Sequence, residues 1–346
     1  MILVNNPGSW EYIYPPFEHA HWNGCTPTDL IFPFFLFIVG ISVSISLRKA
    51  KETGADKHIY LKIFKRTIIL FVLGLFLNGF PYFDFSILRI PGVLQRIALV
   101  FCVCAILYLK CNKKILMILS ASMLIIYWII MCFLPVQGFG HASLEPETNM
   151  GAWLDRLIMP GHLWKYSLTW DPESLLGTIP AIVSGLTGVL TGEWLNSEKD
   201  NREKVIRLFV AGSALIIGGL IWNSFFPINK SLWSSSFVLY TSGIALNTLA
   251  FCYYFLDVIK IQKGWTIPFL AFGSNAITAY FIAELLARAL GEIKVGDNDL
   301  HSWLFQHCFA SWLNPYNASL AMALTMVIFL WLPLRQMYNR NIFIRI

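Results

Sequence analysis

Residues 26–51 read TPTDLIFPFFLFIVGISVSISLRKAK, and this stretch decides the class of fold. Between Asp29 and Arg48 it carries no charge. About 20 mostly apolar residues are what an α-helix needs to cross a bilayer, and the run ends abruptly on Arg48, Lys49 and Lys51. Thr26, Pro27 and Asp29 in front of it form a helix-starting arrangement: a hydroxyl N-cap, a proline in the first turn, and an acid three residues after the cap. Stretches of the same kind recur along the chain.

Of 346 residues, 56% are hydrophobic and 13% charged, about half the charged share of an ordinary soluble domain. The sequence therefore predicts an all-α, polytopic integral membrane helical bundle, a single domain over 1–346. Nine spans are expected, near 28–47, 64–80, 92–109, 115–134, 174–194, 205–226, 233–256, 267–290 and 316–336. The formal charge of +6 does not point to nucleic acid, because the cations flank predicted spans instead of forming one stripe. Seven cysteines are an odd number, and Cys102, Cys104, Cys132 and Cys252 lie in apolar runs, so neither a disulfide framework nor a metal site is expected.

Lys and Arg concentrate in cytoplasmic loops. Placing Arg48 to Arg66 inside puts Lys110, Lys113, Lys114, Lys199, Arg202, Lys204, Lys260, Lys263, Arg335, Arg340 and Arg345 on the same side. The C-terminus is then cytoplasmic, and the long 135–173 connection faces outward. Nine spans leave the N-terminus outside. Met1 to Val4 read as the end of an apolar helix, so a tenth, leading span is expected before them, and no basic n-region precedes Arg48 to make a cleavable signal.

The outer face collects the residues capable of chemistry. His19 and His21 lie in Glu18-His19-Ala20-His21-Trp22-Asn23-Gly24; an imidazole there can be a general base, an acyl-accepting nucleophile, a metal ligand or simply a solvated loop side chain. Asp29 reads both as a cap and as a catalytic acid. Arg96 falls in the first turns of a span, where a cation needs a partner or a ligand. An ion pair with Asp84, Asp171 or Glu173 and anion binding are both open. Asn229 and Lys230 precede Trp233 at a membrane edge, Asn275 needs a hydrogen-bond partner in an apolar run, and Gly188-x-x-x-Gly192 is a helix-packing signal. His141, His162, His301 and His307 show no metal-ligand spacing.

Taken together, Asn5 to Trp10, the His19 to Pro33 segment, Arg89-Ile90-Pro91-Gly92-Val93-Leu94-Gln95-Arg96, Asp171-Pro172-Glu173, Asn223 with Phe226 to Lys230 and Trp233, and Gly273-x-Asn275-Ala276 resemble heparan-α-glucosaminide N-acetyltransferase and its bacterial relatives. The resemblance runs from end to end of this sequence, and the large lumenal N-terminal domain of the animal enzyme is not expected here. It implies acetyl transfer from cytosolic acetyl-CoA, as donor substrate with no metal, to an amino sugar on the far side of an inner membrane. By motif position His19 matches the family's essential histidine, and Asn5 an asparagine near the acetyl group; Asp29 completes the expected catalytic set. Trp22, Asn23, Arg89, Gln95, Arg96, Asp171, Glu173, Asn229, Lys230, Trp233 and Asn275 are the expected substrate-binding residues. Expected partners are the lipid bilayer, acyl-CoA, an amino-sugar or polysaccharide acceptor and a second copy in a homodimer, with no nucleic acid. A transporter of a small polar solute is the competing reading, since polar residues at membrane depth also mark solute pathways.

Overall fold

A computed structural model describes residues 1–261 and 264–344. Lys263 and Arg345, assigned above to the basic face, lie outside the described residues. The chain is helical almost throughout: α1 (Ile2–Asn5), α2 (Ile31–Thr53), α3 (Lys57–Gly79), α4 (Val93–Lys110), α5 (Lys113–Phe133), α6 (Met150–Ile158), α7 (Thr178–Leu195), α8 (Asn201–Trp222), α9 (Ser235–Tyr253), α10 (Ile267–Ser274), α11 (Ala276–Glu292), α12 (Leu300–Leu304) and α13 (Pro315–Asn339). The only strands among the described residues form a two-residue hairpin, Lys294–Val295 with Asn298–Asp299.

Local chemistry starts these helices where the chain needs them. The side chains of Asp56, Asn112, Asn149, Ser234 and Asn314 each accept a backbone N–H of the first turn of α3, α5, α6, α9 and α13, as N-caps do. All nine apolar stretches form helix. Six described helices are long and apolar enough to cross a membrane, or seven if the bent pair α10–α11 counts as one span. That pair departs from the expected continuous helix over 267–290. The chain turns by 76° between Gly264–Ser274 and Ala276–Glu292, and at the break the Asn275 amide binds the C-terminal tail, donating to the Ile342 carbonyl and accepting from the Ile344 N–H.

The centre of the bundle is α2, α3, α4 and α7, packed through Leu36, Leu70, Ile97, Val100 and Leu186, all essentially inaccessible. Small residues set the spacing. A Cβ on Gly188 would stand 1.9 Å from the Phe37 carbonyl oxygen and one on Gly40 1.9 Å from that of Gly185, so α2 and α7 touch backbone to backbone, as the Gly188/Gly192 pair predicts. The outer helices expose what a soluble protein hides: Ile118 at 65%, Val210 at 64% and Phe329 at 59%. Such a belt on α5, α8 and α13 fits a lipid-facing surface.

The two ends of the bundle differ in charge. At one end the C-terminus of α2, the starts of α5 and α8 and the end of α7 converge: Lys51 pairs with Glu193 at 2.6 Å, while Lys113 and Arg207 lie over the Trp194 ring. At the other end stand the N-terminus of α2, the start of α4 and the loops that hold the expected site.

Candidate functional site

A cavity of about 470 Å³ opens at this second end, ringed by residues from seven parts of the chain. The loop before α2 supplies His19, Trp22 and Asp29. Its shape is set by two anchors: the Gly24 N–H donates to the Ile228 carbonyl at 2.7 Å, and the Thr26 hydroxyl donates to the Glu18 carbonyl at 2.6 Å. Gly24 has φ of +114°, a conformation glycine adopts without a Cβ penalty.

Asp29 caps the helix and also touches His19. Its Oδ2 accepts from the Thr26 N–H at 3.0 Å and the Ala20 N–H at 3.1 Å, closing the capping box. Its Oδ1 stands 2.6 Å from His19 Nδ1. Asp29 is 1% exposed and His19 is half exposed, so a buried carboxylate orients a ring that reaches the cavity. A carboxylate can only accept, so the proton of this bond sits on Nδ1. Lys230 lies over the same ring, its Nζ 3.0 Å from Nδ1 and 3.3 Å from Nε2, and 3.6 Å from Asp29 Oδ1. Burial lowers the Lys230 pKa, and Asp29 and Glu173 oppose that shift. Neighbouring Cys25 is a poor nucleophile here, because burial, helped by Asp29, pushes its thiol up to about 12.

The opposite wall is an ion triad. Arg89 grips Asp171 with two bonds, of 2.8 and 2.6 Å, and reaches Glu173 at 2.5 Å. Burial acts to lower the Arg89 pKa, but the two acids hold it above its ordinary value. Beneath it, Asn78 donates to the carbonyls of Arg89 and Pro91 and so fixes the Arg89–Gly92 turn. Gln95 turns its amide into the space left by two glycines, since a Cβ on Gly74 would lie 2.2 Å from its Oε1 and one on Gly92 2.6 Å.

The structure thus brings Asn5, His19, Trp22, Asp29, Arg89, Gln95, Glu173 and Lys230 around one cavity. The other expected binding residues stand behind it or elsewhere. Asp171 lies beneath Arg89. Arg96 is fully buried and donates to the carbonyls of Pro172 and Ser174, with its guanidinium 5.0 Å from the Trp233 ring; the acid pair sought for Arg96 belongs to Arg89. Trp233 is buried and donates to Ser184. Asn229 orders its own turn and donates to Asn23 at 3.2 Å. Asn275 serves the α10–α11 break. Asp84 accepts from Ser86 at the surface.

Sequence reasoning passed over Tyr280, Glu284 and Arg288 of α11, which also line the cavity. Their spacing of four residues puts them on one helix face, and Glu284 accepts from the Asn5 amide at 2.9 Å. An acid and a base inside an apolar span are signal enough by themselves. Trp164 and Trp170, from the outer connection, complete the rim beside Trp22. Among the described residues no group of three His, Cys, Asp or Glu is placed to hold a metal.

Fold and site together define a polytopic helical membrane protein with a charged, histidine-bearing cavity at one end of its bundle. Residues 8–150 match the family described as "Domain of unknown function (DUF5009)". The chain is 31% identical to heparan-alpha-glucosaminide N-acetyltransferase of Mus musculus, across 87% of this chain and 54% of that protein. It is 31% identical to the Homo sapiens protein of the same name, across 87% and 53%. The chain spans about half the length of the curated relatives it matches. These matches bear out the family resemblance carried by the motifs.

Proposed function

We propose that this chain, as one membrane domain, is an acyltransferase that moves an acetyl group from acetyl-CoA to the amine of a glucosamine-like acceptor. The observation that carries the reading is His19, whose Nδ1 is tied to buried Asp29 and whose half-exposed ring faces a cavity that also holds the Asn5 amide and the Lys230 ammonium, the latter 3.3 Å from Nε2. The acceptor amine attacks the thioester carbonyl, the C–N bond forms, and Nε2 takes the amine proton. The tetrahedral oxyanion is stabilised by donors: the second N–H of the Asn5 amide, whose first is spent on Glu284, and the Lys230 ammonium. Collapse breaks the C–S bond, and the imidazolium returns its proton to the leaving thiolate. Glu173 and the Trp22, Trp164 and Trp170 rim suit a cationic amino sugar before it loses its proton.

The basic end is read as cytoplasmic and the cavity end as outward, by the bias of Lys and Arg in cytoplasmic loops. A cysteine introduced at position 145 should label from outside, and one at position 54 should not, once the native cysteines are replaced. Preferential labelling at 54 inverts the orientation. The bent α10–α11 pair is the feature that favours a solute transporter, because broken helices line transport sites. One experiment separates the two: purified protein in liposomes, supplied with labelled acetyl-CoA and a panel of amino sugars. Label covalently joined to an amino sugar is the expected result; uptake of unmodified sugar without acetylation would mean transport.

A further inference from the structure

A second cavity, also about 470 Å³, opens between α2, α3 and α4 at the basic end. It lies on the same three helices as the first, but displaced along them. Asp29 and Lys49 are 20 positions apart along the α2 segment, ~30 Å at 1.5 Å per residue, close to the thickness of a bilayer core. The cavity is lined by Lys49, Lys62 and Arg66, and no acid is among its lining residues.

These three cations differ from their neighbours. Arg48 pairs with Glu52 and Lys51 with Glu193, so the chain supplies carboxylates to this end where it uses them. Among the described residues Lys49, Lys62 and Arg66 form no ion pair. Arg66 is also more than a snorkelling surface cation. Its guanidinium sits 4.5 Å from the Phe101 ring, and its Nε is buried without a hydrogen-bond partner. Stacking on an aromatic face orients a guanidinium and leaves its in-plane donors free, which is the geometry that forks a phosphate. Ile59 and Ile63 add apolar wall beside the cations, and the volume is within the range of small-ligand sites.

We propose that this cavity is a binding site for an amphiphilic phosphate ester, whose anionic head is held by Lys49, Lys62 and Arg66 and whose apolar body rests on Phe101, Ile59 and Ile63. The head can belong to a soluble nucleotide or to a membrane phospholipid. The chemistry at the protein is the same, and the site is independent of the acyl-transfer reading, because what it predicts is binding.

The test uses the full chain in phosphatidylcholine nanodiscs. One arm titrates ADP by calorimetry. The other measures thermal stabilisation as phosphatidylglycerol replaces phosphatidylcholine. Saturable binding of ADP identifies the soluble source, and saturable stabilisation by phosphatidylglycerol identifies the lipid source. In the responding arm Lys62→Gln and Arg66→Gln should each weaken binding about tenfold or more, as loss of a charge-assisted contact does. Lys65→Gln, one residue from Arg66 but outside the cavity lining, should change it less than twofold. If Arg66→Gln does not fold, Lys49→Gln and Lys62→Gln decide. The proposal is overturned if neither probe saturates, or if Lys65→Gln weakens binding as much as Lys62→Gln, since the effect is then one of net surface charge.

Discussion

The two walls of the outer cavity handle charge in opposite ways. Around Arg89 the charged groups are locked together: two acids share one guanidinium through three short bonds, and Asn78 pins the turn. Around His19 one side of the ring is fixed by buried Asp29, while the side chain remains half exposed. A closed triad braces a wall; a half-exposed imidazole oriented by one buried carboxylate, with the Lys230 ammonium beside it, can meet a substrate. The difference separates residues that shape the site from one placed to act in it: the His19 side chain is 48% exposed and that of Asp171 is not exposed at all.

The largest effect expected from breaking this contrast is on rate. His19→Ala should lower acetyl transfer by a factor on the order of 10² to 10⁴, the usual value of a positioned general base, with unchanged yield and thermal midpoint. His21, exposed at the margin of the same cavity, makes no bond to Asp29, and His21→Ala should keep most of the activity. Equal losses in the two variants, measured side by side in liposomes, would remove His19 from its role.

Arg89→Ala attacks the closed wall and should act on the fold first. Removing one partner of a buried ion pair costs about 3–5 kcal/mol, here through the uncompensated carboxylates of Asp171 and Glu173. A thermal midpoint equal to that of the parent would mean that the triad is not a brace.

Gly74→Ala is subtler. The new methyl must displace the Gln95 amide, and overpacking of this kind costs about 1–3 kcal/mol. A rise in the acceptor's KM with nearly unchanged kcat is the expected signature. A variant with parental KM would show that Gln95 does not shape the pocket.

The last contrast concerns the support beneath the triad and is read from pH dependence. Burial pushes Asp155 up to about 7; its Oδ1 accepts from the Leu175 N–H, and its Oδ2 is buried without a partner. An acid whose folded pKa exceeds its unfolded value binds more protons when folded, so its contribution is full below about pH 4 and is lost as pH rises through about 7. Thermal midpoints of the parent should therefore fall between pH 4 and pH 7 more than those of Asp155→Asn, with the two curves parallel above pH 8. Parallel curves throughout would refute this assignment.

How much of this was legible beforehand depended on the range of the interaction. His19, Asp29 and the start of α2 were readable because their bonds span ten residues or fewer. Arg89, Asp171 and Glu173 were each singled out, but their pairing was not, since 82 residues separate Arg89 from Asp171 and Arg96 competed for the same acids. Glu284 and Arg288 were missed because α11 was read only as an apolar span. The α10–α11 bend was hidden for a related reason: the partners of Asn275 lie 67 and 69 residues away.

The sequence by itself determined that this is a bundle of apolar helices whose clusters of consecutive cations flank the same ends of its spans. A 20-residue run without charge has few stable environments other than a bilayer or a protein interior, and its caps and glycines act locally. Only the tertiary structure decided which polar residue answers which. Asn5 meets Glu284 across 279 residues, and Lys230 meets His19 across 211. Such distances are closed by helix packing, through glycines at which two backbones touch, and no local propensity records them.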